Sequence, residues 1–283
     1  MRMGPQEAVW IAGAAGRMGR AIEHHLSHTK YRILTTDAEI DITDLETATA
    51  FAAANRPDYV INCAGLARHD AAQDNPDAAY RINALGARNL AIASESVGAT
   101  IVHLSTDDLF PAYMPYPVNE FEIPAPRHVF GKSKLAGERF VCDLNPRHII
   151  VRSSWVYTAL PDDMIVTAIE KARAGEPVEV PANQFACPTS CRTLARFVIA
   201  CLESEELGTF HAACQGMCSR HEFIARALKL AGAPTSTLAS RAVPDEGYRI
   251  ELDDMMMRLT GIFEMPAWED DLKDYLGIHG LLA

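Results

Sequence analysis

The predicted fold of this chain follows from Ala8–Gly19, which reads AVWIAGAAGRMG. Its first five residues are apolar and end at Gly13, the pattern of a short buried β-strand. Apolar residues then recur at helical spacing at Met18, Ile22 and Leu26, so the glycine-rich segment joins a strand to a helix. Glycines let another molecule approach such a turn closely, and the amino end of the helix offers N–H groups and a favourable dipole to an anion.

This strand, turn and helix predict a loop that holds the diphosphate of a dinucleotide. The candidate contacts are the three glycines and the two residues before the last of them: Gly13, Gly16, Arg17, Met18 and Gly19. The alternative is a tight turn that binds nothing, because three glycines at this spacing also arise by chance. The strand before the turn and the helix after it favour the dinucleotide.

Strands and helices continue to alternate along the chain. Further strands are predicted at 31–35, 59–63, 100–104 and 149–152, and helices at 85–97 and 129–144. The alternation predicts an α/β fold with a doubly wound parallel sheet (Rossmann) whose ligand lies at the carboxyl ends of the strands.

After Ser154 the rhythm changes. Helices are predicted at 164–174, 193–202, 222–231 and 268–276, with a short strand at 178–180 and an irregular tail from Leu238. We therefore expect a dinucleotide-binding Rossmann domain at 1–155 and, at 156–283, a smaller C-terminal substrate lobe that is interleaved with it.

Residues after the second and third strands bear on the cofactor. Asp37 would accept hydrogen bonds from the adenosine ribose, which favours NAD(H), whereas Arg17 favours NADP(H) more weakly. Asp41 and Ile42 are expected to flank the adenine, and Thr43 with Glu46 has the spacing of a capping box that begins a helix. Three small residues at the end of the third strand can lie under the cofactor: Cys63, Ala64 and Gly65.

Composition and charge exclude several partners. The formal net charge of −11 argues against nucleic acid and against an anionic membrane surface. No apolar run approaches the ~20 residues of a membrane span. Seven cysteines, an odd number in no small-scaffold pattern, indicate reduced thiols and a cytoplasmic location.

Some of these cysteines also resemble a metal site. Cys187 and Cys191, and Cys214 and Cys218, are spaced four apart, with His211 and His221 near the second pair. The spacing is not that of a usual zinc knuckle, so we interpret these cysteines as small core residues and predict no metal.

Several phrases along the chain resemble the dTDP-4-dehydrorhamnose reductase family of extended short-chain dehydrogenases/reductases. Besides the glycine loop, they are EIDITD at 39–44, RPDYVIN at 56–62, RINALG at 81–86, STD at 105–107, GKSKLAGE at 131–138, VRSSWVY at 151–157 and NQFACPT at 183–189. The resemblance implies a nicotinamide cofactor and, as substrate, a nucleotide sugar or related small molecule. A homo-oligomer or a protein partner is compatible with it.

The resemblance also implies which residues form the site. The family's catalytic Thr, Tyr and Lys correspond to Thr106, Phe130 and Lys134, with Lys134 also holding the nicotinamide ribose. Asp107 and Trp155 match positions that line the sugar-nucleotide pocket. Asp108 stands where the reductases have an aromatic residue, and Thr106-Asp107-Asp108 is similar to the Thr-Asp-Glu of sugar-nucleotide 4,6-dehydratases.

The catalytic phenol is thus replaced by Phe130, which cannot donate a proton. A positioned general acid is worth about 10² to 10⁴ in rate, so ketone reduction is expected to be impaired while cofactor binding survives. Three residues are candidates for a substitute donor: His128, Asp108 and Tyr157. Two hypotheses follow: an oxidoreductase with a weakened proton donor, or a non-catalytic nucleotide-binding regulatory subunit resembling the methionine adenosyltransferase β subunit.

Overall fold

The computed structural model describes residues 6–244 and 246–283, whose strands and helices alternate through the first half of the chain. The strands are β1 (Glu7–Ala12), β2 (Tyr31–Thr36), β3 (Tyr59–Asn62), β4 (Thr100–Thr106), β5 (His148–Ser153), β6 (Val156–Tyr157), β7 (Val178–Pro181), β8 (Gln184–Ala186), β9 (Thr189–Ser190), β10 (Gly208–His211), β11 (Cys218–Ser219), β12 (Leu238–Arg241) and β13 (Tyr248–Arg249).

The helices are α1 (Arg17–His25), α2 (Leu45–Asn55), α3 (His69–Asp74), α4 (Pro76–Tyr80), α5 (Ala87–Ser96), α6 (Val129–Leu144), α7 (Met164–Arg173), α8 (Cys191–Leu202), α9 (Arg220–Leu230), α10 (Met255–Thr260) and α11 (Trp268–Ile278). A π-helical turn, Arg81–Gly86, joins α4 to α5, and a 3₁₀ turn, Asp107–Leu109, follows β4. Within residues 6–244 and 246–283, no helix is long and apolar enough to cross a membrane.

A six-stranded sheet forms the centre of the molecule, in the order β10-β5-β4-β3-β1-β2. Every pairing in it is parallel. The strand ends that carry the glycine loop, Asn62, Thr106 and Ser153 therefore meet at one edge, where α/β proteins bind their ligands. The predicted α/β fold with a parallel Rossmann sheet is confirmed.

Helices cover both faces of this sheet, so its strands are buried on both sides. Along β1, Val9 and Ile11 belong to the core beneath α1, α8 and α9. Trp10 and Ala12 alternate with them and belong to the core beneath α2, α5 and α6. Burial on both faces explains why this strand is a continuous apolar run.

Three local predictions need correction. Helix α2 begins after Asp44, whose carboxylate accepts from the Glu46 and Thr47 amides, so Thr43 is not the cap. The tail from Leu238 is not irregular, because β12 pairs with β7 and the tail also forms β13 and α10. The sequence pattern also missed β10, which is short and partly exposed at the sheet edge.

Candidate active site

A cavity of about 450 Å³ opens at the carboxyl ends of the central strands. Most of the predicted site residues line it: Gly16, Arg17, Met18, Cys63, Ala64, Gly65, Thr106, Asp107, Asp108, Phe130, Lys134 and Trp155. Five do not line it: Gly13, Gly19, Asp37, Asp41 and Ile42. The roles assigned to all of these residues stay predictions.

The glycine loop enters the cavity at the amino end of α1. Gly16 is the N-cap of this helix and supplies no side-chain cap, which leaves the amides of the first turn open to an anion. The other two glycines make the turn tight. Gly13 has φ of 81°, and a Cβ at Gly19 would lie 2.4 Å from the Gly13 carbonyl oxygen.

Residues predicted at the adenosine end lie outside the cavity. Asp37 follows β2, and its Oδ2 accepts from the Ala15 amide at 2.9 Å, so it also holds the glycine loop in shape. Ile42 is 8% exposed and packs against Gly86, while Asp41 accepts from the Thr43 amide. Arg17 extends into the cavity, where its Nη1 lies 3.9 Å from Asp163 Oδ2.

Helix α6 places Phe130 and Lys134 one turn apart on the wall of the cavity, as their spacing predicts. Both side chains are buried, at 8% and 7% exposed. The Lys134 Nζ donates to the Leu104 carbonyl at 2.5 Å. Burial lowers the pKa of Lys134 to about 8, partly opposed by the nearby Glu138 carboxylate.

A buried polar pair lies behind this lysine. Asn62 Oδ1 accepts from the Ala64 amide, so its Nδ2 must donate to His103 Nδ1 at 3.0 Å. His103 Nε2 lies 3.5 Å from Lys134 Nζ. Burial and then the lysine charge lower the pKa of His103, so the ring is neutral. Because Nδ1 accepts from Asn62, the ring proton is on Nε2, and His103 does not accept a hydrogen bond from the Lys134 ammonium.

Thr106 ends β4 and points its hydroxyl at Asp108, with Oγ1 3.0 Å from Asp108 Oδ2. Asp107 is buried and accepts from Ser154 Oγ at 2.6 Å. Burial first and the Asp108 charge second raise the pKa of Asp107 to about 7. Two carboxyl groups thus lie at the end of one strand, one buried and one open to the cavity.

Comparison with known proteins identifies the family of this chain. The family model described as the RmlD substrate binding domain matches residues 7–279. This chain belongs to the RmlD family. It is 31% identical to the dTDP-4-dehydrorhamnose reductase of Mycobacterium tuberculosis, over 96% of this chain and 93% of that protein.

Solved structures of RmlD-type reductases are also similar. The dTDP-4-dehydrorhamnose reductase of Bacillus anthracis, solved in complex with NADP, is 33% identical with a TM-score of 0.93, over 98% of this chain and 99% of that one. The orthologue from Clostridium acetobutylicum is 33% identical with a TM-score of 0.91, over 96% and 99% of the two chains.

In this RmlD-family chain, Trp155 forms part of the outer wall of the cavity together with two residues that the sequence analysis missed. Trp155 has a positive φ of 37° and donates from Nε1 to the Tyr248 hydroxyl. The Arg220 guanidinium lies 3.5 Å from the centre of the Trp155 ring, a cation–π contact, and also donates to Tyr248. Arg220 begins α9 and Tyr248 begins β13, so these residues are far from Trp155 in the sequence and meet it only in the folded protein.

A further missed residue is His69, at the start of α3. Its ring centre lies 4.9 Å from that of Phe130, and its Nε2 lies 3.1 Å from Asp108 Oδ2. One feature of the sequence indicates that His69 belongs to the site: it follows, by seven residues, Asn62, which ends a buried strand. A lone histidine in a polar segment is, however, usually a surface residue.

Two of the predicted substitute donors lie elsewhere. Tyr157 is buried and donates to Asp271 Oδ2 at 2.9 Å, outside the cavity. His128 is the N-cap residue of α6 and is exposed at the rim, beside a small pocket that it shares with Asp108. Burial lowers the pKa of His128, so a smaller fraction of its ring is protonated and able to donate at neutral pH.

The cysteines of the hypothetical zinc cluster are packed in the interior. Among the described residues, no group of three or more His, Cys, Asp or Glu is arranged to hold a metal ion. Cys187, Cys191, Cys214 and Cys218 are all buried, and Cys214 donates to Asp271.

Proposed function

We propose that this protein binds NAD(H) or NADP(H) together with a nucleotide sugar and reduces a keto group of that sugar, at a rate limited by Phe130. One observation carries the proposal: a single cavity joins the uncapped amino end of α1 to Thr106, Phe130 and Lys134. The family relatives named dTDP-4-dehydrorhamnose reductase support a 4-keto sugar nucleotide as the substrate.

The residues present fit a nicotinamide dinucleotide. Gly16 has no side chain, and the first-turn amides of α1 that it precedes suit a diphosphate. Cys63, Ala64 and Gly65 are small residues in the wall of the cavity and leave room for the cofactor, and Lys134 lines the same cavity. When bound, the reduced cofactor would supply a hydride to the substrate carbonyl.

The outer wall fits the sugar nucleotide. Arg220 presents a guanidinium beside the Trp155 ring, and the two together can hold the charged and planar parts of a nucleotide. Asp107 and Asp108 face the region between this wall and Lys134, where they can accept hydrogen bonds from sugar hydroxyls.

For the choice of cofactor we propose NAD(H). Asp37 lies at the end of β2 and is exposed, so its charge would repel a 2′-phosphate. Arg17, which favours NADP(H) more weakly, lines the cavity but already has a carboxylate partner, with its Nη1 3.9 Å from Asp163 Oδ2. The Bacillus anthracis relative was solved with NADP, so both cofactors belong in the test.

The missing phenol favours a second candidate function. A protein that keeps the cofactor loop and Lys134 but has Phe130 in place of the proton donor could bind its ligands and regulate a partner without turnover. This is the regulatory hypothesis, and it makes the same binding predictions as the first.

Turnover separates the two functions. The purified protein is mixed with NADH or NADPH and dTDP-4-dehydrorhamnose, and cofactor oxidation is followed by absorbance. Melting temperatures with each nucleotide and with dTDP-sugars report binding independently, since a ligand raises the melting temperature whether or not it reacts. Binding with steady turnover supports the reductase, and binding without turnover supports the regulatory function. If the protein shows neither binding nor turnover, the proposal is wrong.

A further inference from the structure

His69 occupies the space next to the missing hydroxyl. Its ring lies 4.9 Å from the Phe130 ring, centre to centre, and it lines the same cavity as Lys134. The side chain is 53% exposed, so it can exchange protons with water as well as face a ligand. No other imidazole lines this cavity within the described part of the chain.

Asp108 fixes the orientation of this imidazole. Its Oδ2 lies 3.1 Å from His69 Nε2, an ion pair when the ring is protonated, and accepts from the Thr106 hydroxyl at 3.0 Å. Thr106, Asp108 and His69 are thereby connected through one carboxylate oxygen. Gly131 makes this possible, because a Cβ there would lie 2.2 Å from the Asp108 carbonyl oxygen and would push α6 away.

The charges around His69 favour its protonated form. The interaction of its ring N–H with the accepting Asp108 carboxylate is the largest influence and raises the pKa of His69, and the charges of Asp108 and Asp107 act in the same direction. Partial burial and the guanidinium of Arg220 oppose them, and His128 also lies near enough to interact. An imidazolium at neutral pH is a suitable general acid.

We propose that His69, oriented by Asp108, donates the proton that the absent phenol would otherwise give to the substrate oxygen. The inference rests on the proposed reductase function. His69 is then a catalytic residue and Asp108 a positioning residue.

The proton and electron balance is complete. The carbonyl carbon gains a hydride that the reduced nicotinamide supplies, the C=O π electron pair forms the new O–H bond, and His69 gives the proton and is left neutral. Nε2 stays bonded to Asp108. Nδ1 has no hydrogen-bond partner among the described residues, so we assign the transferred proton to Nδ1. Water then returns the proton through the exposed side of the ring.

The first test combines His69→Gln with Phe130→Tyr. His69→Gln should lower kcat about 10²-fold, the lower end of the range for a general acid, while the Kd of NADH stays the same. Phe130→Tyr should raise kcat by a larger factor in the His69→Gln protein than in the wild type, because the phenol then replaces the only donor. His28→Gln, at an exposed position far from the cavity, is the matched control.

The second test reads the protonation of His69 without turnover. The imidazole is titrated by NMR in the ligand-free protein and assigned by comparison with His69→Gln. We expect a pKa above the ordinary 6.5 in the wild type and a lower one in Asp108→Asn. In the wild type, kcat/KM should fall as the pH rises through the His69 pKa, and in Asp108→Asn this fall should begin at lower pH. Asp74→Asn, on the exposed end of α3, is the control.

The outcomes separate this inference from the function on which it rests. If the wild type turns over and the kcat of His69→Gln stays within about twofold of it, the proposed role of His69 is wrong and the reductase function is retained. A His69 pKa that Asp108→Asn does not lower overturns the role of Asp108. A wild-type protein that binds NADH but never turns over overturns the reductase and this inference together.

Discussion

The change Phe130→Tyr adds one oxygen atom at the position where the proposed reaction requires a proton donor. The Phe130 side chain is 8% exposed and lines the cavity one helical turn from Lys134, so the rest of the site needs no rearrangement to use a phenol. The lysine charge would lower the pKa of that phenol and prepare it to give up its proton.

The size of the effect follows from what the site already holds. A positioned general acid contributes about 10² to 10⁴ in rate, or about 2.7 to 5.5 kcal/mol. Because the proposed donor His69 already lies beside the ring, we expect kcat of Phe130→Tyr to rise only about tenfold in the wild-type background. The new hydroxyl faces a cavity that admits water, so the melting temperature should stay within about 3 °C.

The assay is oxidation of NADH or NADPH with dTDP-4-dehydrorhamnose at saturating concentrations of both. The matched control is Phe121→Tyr, the same change at a side chain that is 70% exposed and outside the cavity. An increase limited to position 130 supports the reasoning. If Phe130→Tyr binds both ligands and its kcat equals that of the wild type, the account of the missing phenol is wrong.

Three further changes test other parts of the structure. Burial raises the pKa of Asp107 in the folded protein to about 7, above its value in the unfolded chain. The wild type therefore loses stability as the pH rises toward and through 7, whereas a protein with the uncharged asparagine side chain does not. Asp107→Asn should accordingly raise the melting temperature more at pH 8 than at pH 5. Arg220→Met removes the guanidinium beside Trp155 and should raise KM for the nucleotide sugar about tenfold without changing the Kd of NADH, measured by fluorescence titration. Gly19→Ala places a Cβ 2.4 Å from the Gly13 carbonyl oxygen and should cost about 1 to 3 kcal/mol of unfolding free energy, measured by urea denaturation.

The sequence predicted much of the fold because the sheet is buried on both faces. Its inner strands carry short buried apolar runs, such as Ala8–Ala12 in β1 and Ile149–Val151 in β5, and α6 was predicted with the bounds that it has, Val129–Leu144. Strand β10 escaped prediction because an edge strand of four residues, two of them partly exposed, has no such run. The N-cap of α2 was assigned to Thr43 because the spacing of the sequence alone cannot decide which of two adjacent polar residues, Thr43 or Asp44, caps the helix.

By itself, the sequence determined the glycine turn between strand and helix, the one-turn spacing of Phe130 and Lys134, and a phenylalanine where the family resemblance predicts the catalytic tyrosine. These are local features, set by neighbours within a few residues. Only the tertiary structure decided that His69 lies against Phe130 and that Arg220 lies on Trp155. Those contacts join segments far apart in the chain, and they exist because parallel strands bring their carboxyl ends, and the loops that follow them, to one edge of the sheet.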